Sequence, residues 1–143
     1  MKRRSALQFG GATLAGFLGG CSAFERSTPS TVTVSEITIR NRLDRDIEAS
    51  VLLVDDGEVA YWRSVSVPAG SNPFATLTDL PETAGAYDLY AHVPASENDP
   101  PVQANLVEAA GDRSCITVGM EVTTASVDGE DVPAVAYGTI GEC

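Results

Sequence analysis

Residues 47–67 read IEASVLLVDDGEVAYWRSVSV. Ile47, Ala49, Val51 and Leu53 alternate with Glu48 and Ser50 before the pattern runs apolar. A period of two puts the first set on one face of a strand. Asp56-Gly57 follows, a dipeptide that favours the positive-φ conformations of a tight hairpin turn. Beyond it, Val59, Tyr61, Val65 and Val67 share one face, while Glu58, Ala60, Trp62, Ser64 and Ser66 share the other. The stretch therefore predicts two antiparallel strands, each with one face for a core.

The same pattern extends in both directions. Residues 31–39, 74–80, 87–93, 102–108, 115–122 and 134–140 are short and rich in β-branched or aromatic residues. Gly, Pro, Asn and Asp clusters separate them. Tyr87, Leu89, Ala91 and Val93 form one apolar face, and Ile116, Val118, Met120 and Val122 another. In 31–39 the phase changes near Ser35-Glu36, where Val32 and Val34 give way to Ile37 and Ile39, which predicts a bulge. No segment in this region keeps a helical period. Seven or eight short strands at this spacing predict an all-β protein, an antiparallel β-sandwich over residues 31–143.

The first twenty residues differ. Lys2, Arg3 and Arg4 precede a short apolar run interrupted by Gly10, Gly11, Gly16, Gly19 and Gly20. A membrane-spanning helix needs about 20 predominantly apolar residues, so the run reads as a secretory signal instead. Arg3-Arg4 with Leu7 resembles a twin-arginine export signal, and Leu18-Gly19-Gly20-Cys21 resembles a lipobox. These resemblances imply a signal peptide over 1–20 and lipidation of Cys21. They place the protein on the outer face of a membrane, anchored by acyl chains rather than spanning. Residues 21–30 then carry the lipidated Cys21 and a polar tether, rich in Ser, Thr and Pro.

The chain has three cysteines. With Cys21 assigned to lipid, Cys115 and Cys143 remain as a pair outside the cell, where a disulfide persists. The formal charge is −11. Removing residues 1–20 takes it three units further negative and leaves no lysine; the remaining bases are Arg26, Arg40, Arg42, Arg45, Arg63 and Arg113. Such a surface repels phosphates, which excludes nucleic acid as a partner. The acid excess, missing lysine and export signal resemble a haloarchaeal surface lipoprotein.

Gly85-x-Tyr87 resembles the tyrosine corner of immunoglobulin-like sandwiches. Residues 37–70, with their strand, Asn-containing turn, hairpin and Pro-Ala-Gly order, resemble the small immunoglobulin-like domains of that lipoprotein group. The resemblance carries no single activity. Chemistry-bearing sets are incomplete. His92 is the only histidine, so a two-histidine copper site cannot be built around Cys115 and Met120. No nucleophile elbow, phosphate loop or zinc spacing occurs. The residues thus predict no enzyme, no cofactor and no metal, although Asp128-Gly129-Glu130-Asp131 offers loop oxygens of the kind calcium takes.

Trp62 is the informative side chain. Strict alternation puts it opposite the apolar face, as it does Tyr90 and His92 in their strand. If the third and fifth strands are neighbours, as in an immunoglobulin-like sheet, the three would form an exposed patch for a partner. A bulge would instead turn Trp62 into the core, where the strand-C tryptophan of that fold sits. The buried placement is the expectation, and the patch of Trp62, Tyr90 and His92 is the alternative. The functional expectation is a lipid-anchored surface domain for interaction or envelope structure. A ligand- or metal-binding accessory of a transporter is second.

Overall fold

The computed structural model describes residues 28–94 and 101–143. Arg3, Arg4, the expected signal peptide, Cys21 and most of the tether lie outside the described residues. Among the described residues eight strands form: β1 (Thr33–Asn41), β2 (Ile47–Asp55), β3 (Glu58–Val67), β4 (Phe74–Leu77), β5 (Tyr87–His92), β6 (Val102–Asn105), β7 (Cys115–Val127) and β8 (Glu130–Glu142). They make two four-stranded sheets, in the orders β4-β1-β7-β8 and β3-β2-β5-β6. The molecule is an all-β sandwich, as the alternation predicts. Every pairing is antiparallel except β1 with β7, which run parallel.

The inner faces close one core. Val51, Leu53, Leu89, Ile37, Ile116 and Val118 are among its fully covered side chains. Each such aliphatic contributes roughly 1.5–3 kcal/mol relative to exposure. The phase change in β1 is a bulge at Ser35: Val34 pairs with Ile116 and Glu36 with Thr117. The extra residue lets Val32 and Val34 point into the core before it, and Ile37 and Ile39 after it.

The turn chemistry follows the dipeptides. Asp56 and Gly57 have φ of 49° and 80°, and Asp128 and Gly129 have 52° and 84°. Two successive positive-φ residues match the right-handed twist of the flanking strands. The segment 128–131 is accordingly a hairpin corner, and Asp131 accepts the Ser126 hydroxyl at 2.7 Å.

Several expectations need correction. The segment 102–108 is a strand only to Asn105. Its second half is a five-residue helix, α1 (Leu106–Ala110). Asn105 caps it by accepting the Glu108 amide at 2.9 Å, and Leu106 and Ala110 turn inward. The fourth strand stops at Leu77 rather than 80, while β7 and β8 run longer than expected as a hairpin. Past Val122 that hairpin extends beyond the core, and Val127 is exposed. The third and fifth strands are not neighbours either, because β2 lies between them.

Cys115 and Cys143 form a disulfide with a Cα–Cα distance of 5.5 Å. It joins the start of β7 to the residue after β8. At the same end, Val32 and Gly85 exchange backbone hydrogen bonds of 2.9 and 3.1 Å. The Tyr87 hydroxyl donates to the Thr83 carbonyl at 2.8 Å. That is the bond of a tyrosine corner.

Candidate functional site

The outer face of β3-β2-β5-β6 is built row by row from strand register. Trp62 pairs with Leu52, Leu52 with Tyr90, and Tyr90 with Gln103. One row along, Ser64 pairs with Ser50 and Ser50 with His92. In the other direction Val59 pairs with Val54, Val54 with Asp88, and Asp88 with Asn105. Glu48 and Ser66 make the last row. In β2 and β5 these side chains alternate with core residues: Ala49, Val51 and Leu53 in β2, and Tyr87, Leu89 and Ala91 in β5.

Trp62 is 70 % exposed, which overturns the buried placement. The bulge that would bury it does exist, but it lies elsewhere. Register shifts between Leu53 and Val54, so Leu53 pairs with Tyr61, Val54 pairs with Val59, and Ala60 is the extra residue. The bulge comes before Trp62 in β3 and inverts only the hairpin end. Val59, expected in the core, is turned out and 66 % exposed. Tyr61 takes the inward position, and its hydroxyl donates to Asp79 at 3.0 Å. Asp79 also pairs with Arg63, which flanks Tyr61 on the same side of the strand.

Trp62, Tyr90 and His92 therefore do share one face, through the intervening Leu52 rather than by direct strand contact. They line a shallow groove of about 420 Å³ with Ser50, Leu52, Val59 and Pro101. Polar groups sit at its margin: the Ser50 and Ser64 hydroxyls are 2.8 Å apart, and Asn105 donates to Asp88 at 3.3 Å. Leu52, Val59 and Pro101 were not among the expected patch residues. The consecutive apolar run Val59-Ala60-Tyr61-Trp62 conceals which residue is the extra one.

The opposite sheet offers a different surface. Its depression is lined by Glu36, Arg40, Phe74 and Glu121 among others. There the Arg40 guanidinium stands 5.5 Å over the Phe74 ring, and Arg42 pairs with Glu121. Arg40, Arg42 and Glu121 are thus already partnered within the chain.

Among the described residues, no group of three or more His, Cys, Asp or Glu side chains is placed to hold a metal ion. Cys115 is bridged, and Met120 is buried in the core. No described helix is long and apolar enough to cross a membrane. No protein-family model, curated protein or solved structure matches this chain.

Proposed function

We propose that this protein is a non-enzymatic surface domain, held at the outer face of a cell membrane by lipid on Cys21, that docks a partner through the outer face of β3-β2-β5-β6. The observation that carries the reading is the exposure of Trp62 on a rigid sheet beside Leu52, Val59 and Tyr90. Large aromatics left open to water in a cluster are characteristic of interaction surfaces. The leader Arg3-Arg4 and the Leu18–Cys21 run support the export and anchoring part. A Cys115–Cys143 bridge is consistent with an oxidising compartment. The acidic surface and absent mature lysine support a halophilic setting. The groove is formed by one sheet face, so a small molecule there would be covered from one side only. Buried ligands are usually enclosed to about 70–90 %, which favours a flat partner surface over the accessory-binder reading.

Protein recovered from its native membrane tests both halves. Intact mass should show loss of residues 1–20 and a lipid-sized addition on Cys21. A mature N-terminus upstream of Cys21 would refute the anchor. In the same membranes, a Trp62→Ser/Tyr90→Ser variant should fold and anchor but lose its detergent-stable complex on native gels. Unchanged complex mobility would refute the docking face.

A further inference from the structure

The charges around the groove narrow the partner. Asp88 lies two residues before Tyr90 on β5, and Glu48 two residues before Ser50 on β2. At about 3.3 Å rise per residue, each carboxylate lies roughly 7 Å along its strand from a groove residue. The described outer-face rows contain no lysine or arginine. The nearest one in β3, Arg63, is turned to the other side and paired with Asp79. An aromatic floor thus lies between two carboxylates, on a chain of net charge −11.

Resting on the docking reading above, we propose that the Trp62–Tyr90 groove receives arginine side chains of a basic polypeptide partner. The guanidinium plane is weakly hydrated and stacks on aromatic faces, whereas an ammonium holds its water more tightly. An apolar lining therefore discriminates between the two cations. The chain already makes such a contact internally, with Arg40 over Phe74. At low ionic strength the field of the chain favours a cationic partner and opposes a second copy of this acidic chain.

Trp62 is the only tryptophan of the chain, so its fluorescence reports on this face alone. The 143-residue chain in dilute buffer is titrated with hexa-arginine, hexa-lysine and hexa-glutamate peptides. Hexa-arginine should shift Trp62 emission saturably, bind at least about fivefold more tightly than hexa-lysine, and outcompete hexa-glutamate entirely. By anisotropy of a labelled hexa-arginine, Trp62→Ala should weaken binding by at least about fivefold, and Trp62→Phe should keep most of it. Asp88→Asn should weaken it, and Glu142→Gln, at the end of β8, should not. Molar salt should lower the affinity while leaving the preference for arginine. Equal binding by Trp62→Ala and the parent chain would mean diffuse attraction to acidic surface and overturn the proposal. So would equal affinity for the lysine and arginine peptides, no binding of hexa-arginine, or self-association through this face. If peptide binding fails while the membrane complex still depends on Trp62, only the arginine assignment falls. If both fail, the docking reading falls with it.

Discussion

Gly85 carries a constraint that only close packing explains. A Cβ there would lie 2.7 Å from the Tyr87 ring and 2.7 Å from the Asp55 carboxylate. Neither neighbour is free to move: Tyr87 is buried and bonded to Thr83, and Asp55 accepts the Ala86 amide at 3.0 Å. Gly85→Ala should therefore cost about 1–3 kcal/mol through forced displacement of the corner. Its urea midpoint should fall with unchanged slope; a midpoint equal to the parent's would show that the corner yields. Asn41 plays the matching part at the other end of β1. It is 2 % exposed, and its Nδ2 donates to the carbonyls of Arg45 and Val67 at 2.8 and 3.1 Å. Its Oδ1 accepts the Leu43 amide at 2.9 Å. One buried side chain thus satisfies backbone groups of two turns. The Asn-containing turn was legible in the sequence. The identity of its partners was not, because Val67 is brought there by the β2–β3 hairpin.

Among the elements, the β7–β8 hairpin depends most on a covalent link. Its inner portion covers the core, while its far end extends beyond it. The disulfide holds the chain terminus against the start of β7, closing a separation of 28 residues. Chain entropy makes that closure worth about 3.5 kcal/mol. The Cys115→Ser/Cys143→Ser variant should lose up to that amount in urea unfolding. A loss below a few tenths of a kcal/mol would mean that the β7–β8 ladder alone orders the terminus. The helix α1 illustrates a limit at this scale. Asn105 and Glu108 have the spacing of a cap and its third residue, but five residues are too few to show a helical period. The preceding alternation simply ran on into it.

For the molecule as a whole, charge is the dominant unbalanced term. Carboxylates outnumber bases by eleven over the chain, and few ion pairs form: among the described residues, Arg42 pairs with Glu121 and Arg63 with Asp79. A like-charge pair about 4 Å apart costs only ~1 kcal/mol in water, yet many such pairs rival a total stability of about 5–15 kcal/mol. Raising salt from 0.1 M to 1 M shortens the screening length from about 10 to 3 Å. The thermal midpoint should accordingly rise steeply between dilute and molar NaCl. A chain beginning at Ser22 should show the same rise, because the repulsion resides in the folded body. A flat midpoint across that range would count against self-repulsion as the limiting term.

The alternation of residues 47–67, the Asp56-Gly57 turn and the bulge at Ser35 were determined by local sequence, because side-chain period and turn dihedrals are local properties. So was the all-β class. The placement of Trp62, the outward turn of Val59 and the assembly of the groove were not. They depend on which residue of Val59-Ala60-Tyr61-Trp62 is left unpaired, and on β2 lying between β3 and β5. Strand order, and the position of a bulge within an unbroken apolar run such as 59–62, are set by pairing partners distant in sequence, so only the tertiary structure decided which aromatic residues face water together.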